Sequence, residues 1–456
     1  MKRPNILLTI ADDQRGTALG CAGVEPLETP HLDALAAAGT RYRQAQHFGS
    51  SHGAICAPSR AMLHTGQAYF DLDRSFLGGT YPPEDREVPT PATLGARLQE
   101  AGYQTFATGK WHNGTQLFQA SFADAANVFF GGMDDHWFTS VQDYDPTGAY
   151  PPERRRSADG FSTEVFAQSA IDFIHRQAGS AAPFFCYCAF TAPHDPRTPP
   201  DRWRRRYDPH EMPVFPNMEP AFHDPGSPFG LVPVFDNGTL LGRDEALLGP
   251  VRDIKEVKRA MAAYYGLVSH MDEWIGKIHE ALRETGFWED TLVVHTADHG
   301  LGVGQHGYLG KQNMYQHSMQ VPLILAGPGF EAGRVTDELR YQQDLNPTLL
   351  EAAGAAPAGA SFRPLGGEAY DALGGAFGAH TNLQRCVRDE RFKLMELSIG
   401  GRRRTELYDL EADPWEVNNL AARAEMAPVL ARLRRRLRQW QEHYGDHAEW
   451  RPGEDE

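Results

Sequence analysis

Residues 5–13 read NILLTIADD: a strand-forming apolar run that stops at two adjacent carboxylates. The same plan recurs three times. Residues 103–108 run into Gly109-Lys110-Trp111-His112, PFFCYCAFTAP (183–193) runs into His194, and TLVVHTA (291–297) runs into Asp298-His299-Gly300. Near-continuous apolar runs of this kind belong to strands covered on both faces. Between them lie helical patterns at 30–39, 91–101, 163–177 and 254–284. In the last, Ile254, Val257, Met261, Tyr265, Val268, Met271, Ile275, Ile278 and Leu282 repeat at helical spacing. Such alternation predicts an α/β fold with a largely parallel sheet. Sheets of that kind bind ligands beyond the carboxyl ends of their strands. Every polar cluster here stands at that end, so residues far apart in sequence are expected to meet in one cleft.

Two regions break the alternation. From Pro193 to Pro233 there are eleven prolines, which predicts an extended, substrate-facing excursion anchored by Trp203, Tyr207, Phe215 and Phe222. The Gly/Ala/Pro-rich stretch 352–360 reads as a junction, dividing the chain into a catalytic domain (1–355) and a smaller C-terminal domain (356–456). Short strands are expected at 391–397 and 404–409, then a helix with Val429, Leu433, Leu437, Trp440 and Tyr444 on one face.

The chain has 456 residues, enough for a large domain and a small one. Its 44 basic and 60 acidic side chains leave a formal charge of −16, a field that repels nucleic acid, and the arginine runs are scattered. No run approaches the ~18 apolar residues of a membrane span, so no membrane partner is expected. The opening MKRPNILLTIADDQ has too short an apolar run for a secretory signal. Five cysteines, an odd number without zinc-ligand spacing, fit a reducing compartment. A cytoplasmic setting is the expectation, with a periplasmic or secreted one if the chain is a trimmed form.

Adjacent carboxylates such as Asp12 and Asp13 are costly unless a cation lies between them or one is protonated. Asp298 and His299 offer a second pair from another strand end. Together this mostly oxygen set suits a hard cation, calcium or magnesium, rather than zinc. Lys110 and His112, two apart, would point the same way in an extended segment. With His194, and with Lys311 on a glycine-rich loop near His306 and His317, they fit an anionic ester substrate.

CAPSRAMLHTG (56–66) resembles the formylglycine signature of type I sulfatases, C-x-P-S-R-x-x-L-x-T-G, at every fixed position. The likeness extends along the chain through PNILLTIADDQ, GKWHNG, FTAPHDP, YYGLVSHMDEWIG, TADHGLGVGQHG, GKQNMYQHSMQVP and LYDLEADPWEVNNLA. It departs at His299, where the family often has Asn, though His also occurs.

The resemblance implies an alkaline-phosphatase-like fold: a large mixed sheet covered by helices and a smaller C-terminal domain with an antiparallel sheet. It implies that a generating enzyme converts Cys56 to Cα-formylglycine, whose hydrate attacks sulfur. One divalent cation, calcium with magnesium or manganese as alternatives, would be held by Asp12, Asp13, residue 56, Asp298 and His299. Arg60, Lys110 and Lys311 would offset charge on the sulfuryl oxygens, with His306 and His317 as further substrate contacts. His194 would protonate the leaving oxygen and His112 would deprotonate the second hydroxyl.

A small sulfated substrate is expected, a sugar sulfate ahead of an aryl or choline sulfate. A cysteine phosphatase needs five residues between Cys and Arg, and here there are three. A phosphonate monoester or phosphodiester hydrolase and a non-catalytic sulfoglycan-binding relative remain as alternatives.

Overall fold

In the computed structural model of the chain, residues 3–77, 89–218, 253–399 and 402–446 are described. Eight of the described strands form the main sheet. Their order is Arg334–Thr336, Gly39–Tyr42, Leu323–Ala326, Thr291–Ala297, Asn5–Asp12, Phe184–Pro193, Gln104–Lys110 and Asp124–Phe129. Leu323–Ala326 runs antiparallel to both neighbours, while the five strands from Thr291–Ala297 to Asp124–Phe129 are parallel. The predicted mostly parallel sheet is what forms. Asn5–Asp12 and Phe184–Pro193 are buried at every residue, so both faces are covered, as their unbroken apolar runs require.

Strand register creates the cleft. Ala11 lies opposite Ala297, so Asp12 and Asp298 emerge side by side. On the other side the ladder shifts between Ile10 and Asp12 and sets Asp12 beside Pro193, which brings His194 to the same edge. Gly109 pairs with Ala189, placing Lys110 one strand further out.

The helix Ile254–Glu284 forms over the expected range, its first turn capped by the Asp253 carboxylate, which accepts from Lys255 N. It packs with Ser162–Arg176 and Pro30–Ala38, while Cys56–Thr65, Leu94–Glu100 and Leu345–Ala353 form a second group. None of the described helices is long and apolar enough to cross a membrane.

A second sheet has the order Arg402–Asp409, Phe392–Ile399, Gln384–Arg388, Ala376–His380 and Gly49–Ser50. Its first four strands are antiparallel, and Gly49–Ser50 joins in parallel from far upstream. Leu433, Leu437 and Trp440 of the helix Ala427–His443 are buried against this sheet, the face expected from spacing.

The proline-rich excursion is only partly extended, because it contains the short helix Asp201–Arg204. Tyr207 anchors it by a 2.6 Å hydrogen bond to Ser269 Oγ, and Phe215 by stacking on Trp415 at 4.8 Å. Its remainder, 219–233 with Phe222, lies outside the described residues.

Gly95 of the helix Leu94–Glu100 lies against the Ser121 carbonyl, which a Cβ would approach to 1.9 Å. Alanine favours a helix over glycine by about 1 kcal/mol, but here the neighbour is main chain that cannot rotate aside. Gly95→Ala is therefore expected to reduce the unfolding free energy by about 1–3 kcal/mol in urea titration. An unchanged or raised midpoint would contradict this packing.

Candidate active site

Asp12 ends its strand, and Asp13 turns away with a φ of 76°. That left-handed conformation costs a non-glycine residue about 1–3 kcal/mol and persists only where surroundings impose it. The constraint is visible: Asp13 N and His299 N both donate to Asp298 Oδ1, at 3.3 and 3.0 Å. The Tyr264 hydroxyl donates to Asp13 O at 2.9 Å.

Cys56 is the first residue of the helix Cys56–Thr65, every residue of which is buried. Pro58 falls in the first turn of this helix, where its missing N–H is tolerated. Ser59 ties the helix to the next strand end, its hydroxyl donating to Asp298 O at 2.6 Å and accepting from Gln343 Nε2 at 3.2 Å.

Lys110 is paired with Asp12 Oδ2, and its Nζ lies 3.5 Å from Cys56 Sγ. His112 Nδ1 lies 3.1 Å from the same sulfur. The two converge as expected but not by strand alternation, since His112 has a φ of 65° beyond the strand's end. Lys311 Nζ donates to Asp13 Oδ1 at 2.8 Å.

Arg60 is fully buried. Its Nε donates to Asp298 Oδ2 at 2.9 Å, and its Nη1 to Lys110 O and Tyr187 OH at 2.8 and 3.1 Å. Only its Nη2 finds no partner among the described residues. These partners give Arg60 a positioning role, beside the contact with substrate that the sequence leads one to expect of it.

His194 is held through Nδ1, 2.8 Å from the Asp195 main-chain oxygen and 3.2 Å from Asp195 Oδ1. A carbonyl only accepts, so Nδ1 carries the proton and Nε2 faces Asp13 Oδ2 at 3.9 Å. Burial lowers the His194 pKa, against the raising effect of Asp13. His112 is pressed well below the usual imidazole range, first by burial and then by Lys110. Burial alone would raise Asp12; Lys110, His194, Lys311 and Arg60 outweigh it and hold this carboxylate well below its usual range.

The donor set fits a hard cation. Ligand atoms of Asp12, Cys56, Asp298 and His299 lie within 4.8 Å of one another, as do those of Asp12, Asp13 and His194. His299 Nδ1 sits 2.8 Å from Gly300 O and so carries a proton. The lone pair of a neutral ring is therefore on Nε2, 3.1 Å from Asp13 Oδ1 and 3.5 Å from Asp298 Oδ1. Asp12 Oδ1 is buried with no donor. Lone pairs aimed at one another repel unless a cation lies between them, and an oxygen-rich set suits calcium-type ions.

Two predicted residues are not brought to this cluster. His306 stacks on Tyr315 at 3.9 Å, and His317 lies 5.7 Å from His306. His317 lines a separate cavity of about 850 Å³ that none of the cluster residues touches. Sequence reading in turn missed Tyr187, Asp195, His136 and Asn113. Tyr187 reads as core within its strand, and His136 acts through the His194 main-chain oxygen at 3.0 Å. Asn113 bonds the Ala57 and Phe76 carbonyls at 3.0 and 2.8 Å. Contacts to main chain leave no signature in side-chain spacing.

A helix-flanked, mostly parallel sheet with carboxylates, cations and the Cys56 helix at its carboxyl edge defines an alkaline-phosphatase-like hydrolase. Residues 4–355 match the sulfatase family model, and 304–443 match the model for the C-terminal part of N-sulphoglucosamine sulphohydrolase. The chain belongs to the sulfatase family and is a sulfuric ester hydrolase.

It is 27% identical to an arylsulfatase of Clostridium perfringens, covering 95% of this chain and 94% of the relative. It is 25% identical to an N-acetylglucosamine-6-O-sulfatase of Bacteroides thetaiotaomicron, covering 98% and 88%. A structure solved with its substrate D-glucosamine-2-N,6-O-disulfate matches with a TM-score of 0.76 at 23% identity, over 100% of both chains.

Arg60→Met removes the only side-chain cation within hydrogen-bonding distance of Asp298 Oδ2 among the described residues. Breaking a buried pair from one side costs about 3–5 kcal/mol. That loss is expected in urea unfolding, and a change below ~1 kcal/mol would contradict the positioning role.

Proposed function

We propose that the chain hydrolyses a sulfate monoester of a carbohydrate, with an aldehyde made from Cys56 and a calcium ion held by Asp12, Asp13, Asp298 and His299. The observation that carries this reading is the meeting of Cys56 Sγ with His112 and Lys110 beside that acidic set. As the hydrate of an aldehyde, residue 56 would supply an oxygen nucleophile where the thiol stands. A cation in the acidic set would supply Lewis acidity and favour the ionised nucleophile. Making the aldehyde requires a formylglycine-generating enzyme as a partner in maturation.

The chain's own groups take the remaining roles. His112, kept neutral, is within reach of residue 56 and can accept its proton. Lys110 and Lys311, one on each of the two adjacent aspartates, can hold sulfate oxygens and offset charge that grows on them. His194 directs Nε2 to the same edge and can protonate the leaving oxygen. To do so it must carry both ring protons, a state opposed by burial, Lys311 and Lys110 and favoured by Asp13 and Asp12. The carbohydrate preference draws on the N-acetylglucosamine-6-O-sulfatase relative and on the neighbour solved with a glucosamine disulfate.

Turnover of a sulfated hexosamine, an aryl sulfate, choline sulfate and a phosphonate monoester tests the reading. The highest kcat/KM is expected for the hexosamine sulfate; faster phosphonate cleavage would move the chain to the alternative class.

Calcium removal by a chelator is expected to reduce stability by about 2–3 kcal/mol relative to calcium near a hundred times its Kd. Its return should restore the thermal midpoint. Stoichiometric zinc, or an unmoved midpoint, would contradict the ion.

His194→Ala is expected to slow a sugar sulfate by ~10²–10⁴-fold and a nitrophenyl sulfate far less, because phenoxide needs little protonation. Equal slowing of both would remove His194 as the acid.

A further inference from the structure

The loop between the strands Asp124–Phe129 and Ser140–Val141 is strung between the two histidines that flank the cluster. At its start, a Cβ on Gly132 would lie 2.5 Å from His112 Nε2, so only glycine leaves room for that ring. At its end, His136 is 1% exposed and its Nε2 donates to His194 O at 3.0 Å. Because a carbonyl only accepts, His136 Nδ1 is the acceptor, facing Ser162 Oγ and Thr191 Oγ1 at 3.0 and 3.1 Å.

The intervening backbone is fixed. Trp137 N donates to Asp135 Oδ1 and Ser140 N to Asp134 Oδ2, each at 2.8 Å, and Phe138 N donates to Asp135 O at 3.1 Å. This ordered loop nevertheless leaves two adjacent aromatic side chains in water: Trp137 is 44% exposed and Phe138 71%. Trp137 is oriented by an edge contact with Phe161 at 5.0 Å. Aromatic groups left exposed on an ordered loop that is tied to the His112 ring at one end and to the His194 main chain at the other have the character of a binding surface.

We propose that Trp137 and Phe138 form the platform for the alcohol portion of the ester, taking the apolar face of a pyranose ring while its sulfate lies at residue 56. An aromatic face takes the C–H face of a pyranose by apolar contact; it would also attract a cationic alcohol such as choline, and the hexosamine-sulfatase relative favours the sugar. His136 fixes the platform to the main chain of His194, so the ring is set relative to the group that would protonate its oxygen. The platform rests on the carbohydrate reading above and names the part of the site that recognises the sugar.

The test compares 6-O-sulfated N-acetylglucosamine with a short alkyl sulfate in the wild type, Trp137→Ala and Phe138→Ala. Each substitution is expected to raise KM for the sugar sulfate about three- to tenfold. The kcat/KM ratio of sugar to alkyl sulfate should fall correspondingly. Phe138 is mostly in solvent, so its variant stays interpretable if Trp137→Ala unfolds; thermal midpoints check both.

Wild-type protein that turns over the alkyl but not the sugar sulfate would overturn the carbohydrate reading and the platform with it. Sugar turnover with an unchanged ratio in both variants would overturn the platform alone.

Discussion

Three carboxylates and three permanent cations are buried together at one end of the main sheet, each carboxylate with its own partner: Asp12 with Lys110, Asp13 with Lys311, Asp298 with Arg60. Moving any of these charges out of water alone would cost several kcal/mol, and only close pairing offsets it. The pairs come from five separate segments, so the cost is met only when strand register, the Cys56 helix and the Lys311 loop are all in place. Three against three leaves no net charge. A divalent cation adds two positive charges that a sulfate ester's negative charge then partly balances, so metal and substrate should favour each other's binding.

Local backbone departures serve the same end. Asp13 and His112 both adopt left-handed φ, of 76° and 65°, just beyond strands whose ladders shift register near the same edge. Continued as strand, alternate side chains would point to opposite faces. The turns instead direct Asp13 to the cation set and the His112 ring to Cys56, and Gly132 keeps space for that ring. Arg60 links the parts, because one guanidinium bonds the Asp298 carboxylate, the Lys110 carbonyl and the Tyr187 hydroxyl.

Much of this was legible before any coordinates. Near-continuous apolar runs at 5–10, 183–193 and 291–297 identify the buried central strands, and the 254–284 periodicity delimits its helix, because burial on two faces or one leaves a direct imprint on composition. Ala376–His380 and Gln384–Arg388 left no such imprint: AFGAH is a short run of mostly small residues behind two glycines, QRCVR is largely polar, and pairing with neighbours makes them strands. Of the site, residues bearing charge at strand ends could be found, and they converge. His306 and His317 could not be told from them by proximity in sequence; their ring contacts, to Tyr315 and to each other, are tertiary. Tyr187 and His136 were invisible for other reasons: Tyr187 reads as core within its strand and acts through its hydroxyl, and His136 acts on the His194 main-chain oxygen, which leaves no mark in side-chain spacing.

If residue 56 works as an aldehyde and not as a thiol, activity follows the extent of its conversion. Preparations differing in the extent of conversion can be compared by two readings on the same samples: peptide mass spectrometry for the fraction of residue 56 carrying CHO in place of CH2SH, and sulfate release from a sulfated hexosamine. The expected rate is proportional to the aldehyde fraction and extrapolates to near zero for wholly unmodified Cys56. A rate independent of that fraction would contradict it.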